Sequence, residues 1–81
     1  MTATGNWRVQ RILDVAIKYG WLITPSDAVK DCWTVHPAGT ETFYDDGFTV
    51  YAEPNNAATV MRQSDWTPIP QSTAMALIAS R

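Results

Sequence analysis

The chain is short of the residues that most often carry chemistry. Its 81 residues include one cysteine, Cys32, and one histidine, His36, so it can form no internal disulfide and no cysteine-based zinc cluster. A lone cysteine also suits a reducing, cytoplasmic setting. Lysine and arginine together number six against eight acidic residues, a formal net charge of −2. Arg8 and Arg11 lie near the start and Arg81 at the last position, so there is no dense cationic footprint for a phosphate backbone and nucleic-acid binding is disfavoured. Apolar runs fall far short of the ~20 residues that cross a bilayer, and no charged-then-apolar leader opens the chain, so no membrane partner is expected. The four glycines, Gly5, Gly20, Gly39 and Gly47, are scattered, which leaves no phosphate-cradling loop.

What is present is apolar and aromatic. Hydrophobic residues make up 46% and charged residues 17%, the balance of a folded globule rather than a disordered tail, and the length fits one small domain over 1–81 with 1–5 as a frayed tail. Alanine and threonine outnumber lysine heavily, a bias associated with GC-rich bacterial and bacteriophage genomes.

The first helix is the plainest element. Asn6 offers an N-cap, and from Trp7 to Tyr19 the residues Val9, Ile12, Leu13, Ala16 and Ile17 recur at helical spacing. Gly20 then reads as the left-handed C′ residue, with Trp21 packing back on the last turn. Thr24-Pro25-Ser26-Asp27 offers a cap followed by proline, consistent with a helical turn over Pro25 to Lys30 or with a loop. Cys32 to His36 alternates as a strand, with Trp33 and Val35 on one face and Cys32, Thr34 and His36 on the other.

Thr42 to Tyr51 reads as a β-hairpin, since Asp46-Gly47 between alternating aromatic and β-branched residues is what a type I′ turn asks for at two positions of positive φ. That register sets Tyr44 opposite Thr49 and Phe43 opposite Val50. Phe43, Phe48 and Val50 then share one face, and Thr42, Tyr44, Thr49 and Tyr51 the other. Pro54-Asn55-Asn56 is a turn, and 57–63 is a further strand or a short helix, with Thr59-Val60 favouring the strand. Ser64 to Pro70 is a proline-bearing connector that carries Trp66, and Pro70 opens a last helix over Gln71 to Ser80. The expected architecture is an α+β two-layer sandwich: an N-terminal helix, an antiparallel meander of three to four strands, and a C-terminal helix.

The candidates for chemistry are few. His36 and Cys32 lack recognisable partners, and a lone strand histidine or cysteine is more often structural than catalytic. Asp45-Asp46 is better read as turn chemistry than as a carboxylate pair. No metal-ligand spacing occurs, so no metal or other cofactor is assigned. Trp7, Trp21, Trp33, Phe43 and Phe48 are expected in the core. Tyr44 and Tyr51 on the opposite sheet face, with Trp66 and His36, form the candidate surface for a protein partner or a second copy, because Tyr and Trp bury large area at small conformational cost. A helix or loop covering that face is the alternative.

From Val9 to Glu53 the layout resembles the HicA-like toxins. Tyr19-Gly20-Trp21 ends the first helix, and Trp33-Thr34-Val35-His36-Pro37 precedes the hairpin. The resemblance implies a double-stranded-RNA-binding-like fold and cleavage of messenger RNA by a strand histidine in a Gly-Ser-His motif. Here Lys30-Asp31-Cys32 stands in the place of that motif, so the resemblance carries topology and no catalytic residue. Three functions follow: an accessory protein that binds a partner through its open sheet face or an exposed edge, an RNA-binding or RNA-cleaving protein, and a cysteine- or histidine-dependent enzyme.

Overall fold

The computed structural model describes residues 5–39 and 47–80. Its elements are α1 (Trp7–Lys18), β1 (Leu22–Pro25), β2 (Cys32–His36), β3 (Phe48–Ala52), a 3-10 turn (Pro54–Asn56), β4 (Ala58–Arg62), β5 (Thr67–Ile69) and α2 (Gln71–Ala79). The five strands form one antiparallel sheet in the order β1-β2-β3-β4-β5, and α1 and α2 pack on each other and on one face of it. This is the expected α+β sandwich with a wider sheet.

Helix α1 follows its local signals. The Asn6 side chain accepts the N–H groups of Arg8 and Val9, and Val9, Ile12, Leu13 and Ala16 are buried. Gly20 lies at φ 78°, and the Trp21 N–H closes the end by donating to the Ala16 carbonyl at 2.8 Å. Trp21 then stacks on Phe48 with ring centroids 5.9 Å apart. In α2, Ala74 and Ile78 are buried. Strand alternation sends Trp33, Val35, Phe48, Val50 and Val60 into this helix-covered core. Trp7 departs from expectation: it is half exposed, with the Arg8 guanidinium 4.4 Å from its ring centre, because the first helical position falls outside the buried stripe.

The hairpin expected around Asp46-Gly47 is corrected at its described half. β3 pairs with β2 on one edge (Trp33↔Val50, Val35↔Phe48) and with β4 on the other (Val50↔Val60, Tyr51↔Thr59). Both edges of β3 are therefore paired; Glu41 to Asp46, the other half of the expected hairpin, lie outside the described residues. Gly47 is not among the glycines with positive φ, so it does not occupy a type I′ position. What requires glycine there is close approach: a Cβ would run into Gln63 Oε1 and sit 3.1 Å from the Val35 carbonyl oxygen. The carbonyl belongs to the β2–β3 ladder and cannot retreat freely. Gly47→Ala is expected to cost about 1–2 kcal/mol, read as a lower urea midpoint with unchanged slope. A neutral outcome would mean that Gln63 swings aside and the backbone yields.

Two strands lie where none was expected, and they are the two edges. Pairing recruits Leu22–Pro25 through Ile23↔Val35 and Pro25↔Trp33, which displaces the helical turn over Pro25 to Lys30. The cap chemistry survives two residues later, where the Ser26 hydroxyl accepts the Val29 N–H at 3.1 Å. Leu22 is about half exposed, while Ile23 packs on the core. The connector Ser64 to Pro70 contains β5, paired by Val60↔Ile69 and Arg62↔Thr67.

Candidate functional site

The faces of the sheet differ in chemistry. Opposite the helices, register places Thr24, Thr34, Thr49 and Met61 side by side across four strands, with Cys32, Tyr51 and Thr59 in the next row. β-branched residues fit such a pleated surface on either face, and each threonine adds a hydroxyl to it.

Two connections turn that face into a groove of about 410 Å³. The β1–β2 loop brings Asp27, Ala28 and Val29 to one side, and the β4–β5 turn brings Gln63 and Trp66 to the other. Thr24, Thr34, Thr49 and Tyr51 lie between them. Val29 and Trp66 are about half exposed, Tyr51 is half-buried, and Thr49 is buried. Asp27 is the charged side chain among the described residues of the lining.

The β4–β5 turn is held by charge. Asp65 receives the Arg62 guanidinium at 2.8 and 3.2 Å and the Thr67 N–H at 3.1 Å. These bonds, that of Arg62 foremost, lower its carboxyl pKa to about 2. This fork sets Trp66 between Asp65 and Thr67 at φ 56°, a left-handed backbone that a bulky side chain rarely adopts. Its N–H donates to the Arg62 carbonyl at 2.7 Å.

Against the residues singled out from sequence, the structure brings Tyr51 and Trp66 together in one groove. His36 is buried at 4% exposure at the far end of β2 and does not line the groove. Tyr44 lies outside the described residues. Cys32 lies beside Tyr51 in the groove. Burial raises the Cys32 thiol pKa, and burial followed by the neighbouring Cys32 raises that of the Tyr51 phenol. At neutral pH both therefore act as neutral hydrogen-bonding groups rather than nucleophiles. Among the described residues no three His, Cys, Asp or Glu side chains are grouped to hold a metal ion, and no helix is long and apolar enough to cross a membrane.

No protein-family model, curated protein or solved structure matches the chain. Its geometry carries the functional argument.

The sheet edges narrow that geometry further. The Ser26 N–H donates to the Cys32 carbonyl at 2.9 Å, which sets the ladder's phase so that Ile23 and Pro25 turn their backbone groups to the free edge of β1. Pro25 has no N–H to offer there. On the opposite edge Pro68 sits at the centre of β5, and the Thr67 N–H is engaged by Asp65. Prolines on both edge strands oppose strand addition. Sequence reasoning had these prolines in view but read Pro25 as opening a helical turn or loop and Pro68 as part of a connector, so their protective role was not visible. It also missed the threonine floor: each outward threonine could be seen singly, but their alignment needs the register.

Proposed function

We propose that this protein is a non-enzymatic accessory module that binds a partner protein by taking an extended segment into the groove on the helix-free face. The observation that carries the reading is the convergence of Tyr51 and an exposed, strained Trp66 on one groove over a hydroxyl-bearing floor. Exposed large aromatics in a concave site are the usual anchors of protein recognition. The blunted edges favour the face over strand addition as the mode of contact. The unpaired Cys32 suits a reducing, cytoplasmic setting.

The RNA-binding or HicA-like reading asks for cations where a phosphate backbone would lie. The groove offers Asp27, while Arg62 is engaged by Asp65 and Arg8 by the Asn56 carbonyl and the Trp7 ring. A histidine nuclease needs an imidazole that reaches its substrate, and His36 is buried.

The test is selection of peptides from a random display library on the wild-type protein, on Tyr51→Ala and on Ala28→Trp. Ala28 is an exposed loop residue, so tryptophan there fills the groove without touching the core. Peptides are expected to be enriched on the wild type and to lose at least tenfold in affinity, about 1.4 kcal/mol or more, on both variants, with circular dichroism unchanged. Absence of enrichment on the wild type, or enrichment indifferent to both variants, would sink the groove. Concentration-dependent light scattering abolished by Ala28→Trp would instead identify the occupant as a second copy of the chain.

A further inference from the structure

Resting on the groove reading above, we infer that the segment the groove takes is proline-rich, in a polyproline II conformation, with a basic residue at the Asp27 end. Three features point to this chemistry. The first is direction: the groove crosses the face from the β1–β2 loop to the β4–β5 turn, where the strands' backbone groups are spent on each other. A segment lying there finds no ladder, so every ordinary residue brings an N–H that needs a partner on a buried surface. Proline brings none, and a polyproline II chain has no internal hydrogen bonds to lose.

The second feature is donor supply. A proline-rich chain presents carbonyl acceptors, and the donor-bearing residues Thr24, Thr34, Tyr51 and Trp66 line the groove, with Thr49 buried in its floor. The rings of Tyr51 and Trp66 also supply flat apolar surfaces of the kind that pyrrolidine rings pack against. The third is charge. Asp27 stands on the β1–β2 wall without a cation among the described lining residues, in a protein of net charge −2, so a Lys or Arg in the ligand is favoured at that end.

The experiment uses synthetic peptides on the full chain: a repeated Pro-Pro-Ala peptide ending in arginine, its counterpart with every proline replaced by alanine, and its counterpart ending in glutamate. Binding is followed by the indole N–H signal of Trp66 in a two-dimensional NMR spectrum, assigned with Trp66→Phe. The first peptide is expected to shift that signal, the proline-free peptide to bind at least about tenfold more weakly, and the glutamate peptide about fivefold more weakly at low salt. Asp27→Asn is expected to erase the difference between the arginine and glutamate peptides while leaving the proline preference. Equal binding of the proline-free peptide, or no shift with any of the three, overturns the inference. If library peptides without proline depend on Tyr51 while these peptides do not bind, the ligand class falls and the groove stands; if neither set responds, both fall.

Discussion

Asn6→Asp is expected to cost about 2–4 kcal/mol of folding stability although it keeps a capping oxygen in place. Asn6 works in two directions. Its Oδ1 accepts the N–H groups of Arg8 and Val9 at 3.1 and 3.0 Å, and its Nδ2 donates to the carbonyls of Ala57 at 2.6 Å and Glu53 at 3.3 Å. The first pair starts α1, and the second ties that start to the connection between β3 and β4. Aspartate accepts as well as asparagine but has no hydrogen to give when ionised, so two carbonyls would face a carboxylate oxygen in a site only 7% exposed. The Ala57 carbonyl keeps the Glu53 N–H at 2.9 Å, so the cost is the lost tether together with the repulsion between carboxylate and carbonyls, not the cap.

Asn6→Ala separates the contributions: it loses the cap and the two long-range bonds but introduces no charge. An 81-residue chain holds roughly 4–12 kcal/mol in total, so either change should move the urea midpoint visibly. If Asn6→Asp proves as stable as wild type, the bonds to Glu53 and Ala57 contribute nothing and the helix is capped locally only. If Asn6→Ala proves worse than Asn6→Asp, the cap outweighs the tether.

This double role marks the boundary of what the sequence reveals. The cap on α1, Gly20 and Pro70 are local signals that appear where the residues place them, because few neighbours decide a helix end; of the expected apolar stripe Val9, Ile12, Leu13 and Ala16 are buried, while Ile17 in the last turn is about half exposed. The tether from Asn6 to Ala57 spans most of the chain and has no local signature. The edge strands fail to announce themselves for the same reason: β1 and β5 are short, end on or contain proline, and exist because β2 and β4 present edges to pair with. Gly47 shows the reverse: the local signal asks for positive φ, whereas β2 and β4 flank β3 and hold Gly47 against Gln63 and Val35 without it. In the site, alternation alone put Tyr51 on the face away from Val50. That Trp66, across two strands and a turn, shares the groove with it could be learned only from the register.

Trp66→Gly is expected to separate folding from binding. The residue sits at φ 56°, where an L side chain carries about 1 kcal/mol of backbone strain that glycine does not. The fork from Arg62 to Asp65 and the Asp65 bond to the Thr67 N–H persist without the indole, since neither uses its side chain. About half of the residue is exposed, so glycine forfeits packing over the remainder only. Strain relief, lost packing and the added freedom of unfolded glycine nearly cancel, and the folded protein should stay within about 1 kcal/mol of wild type. Peptide binding should fall by 2 kcal/mol or more, roughly thirtyfold, the usual loss when an aromatic anchor is removed. Trp66→Asn, a residue that tolerates the left-handed region, should behave alike and guard against a glycine-specific loosening of the turn. A large drop in the urea midpoint for both variants would make Trp66 a structural residue of the β4–β5 turn. Unchanged binding with unchanged stability would leave its strained backbone without a functional reason. The expected combination, a fold indifferent to the indole and a ligand that is not, is what a side chain retained for recognition predicts.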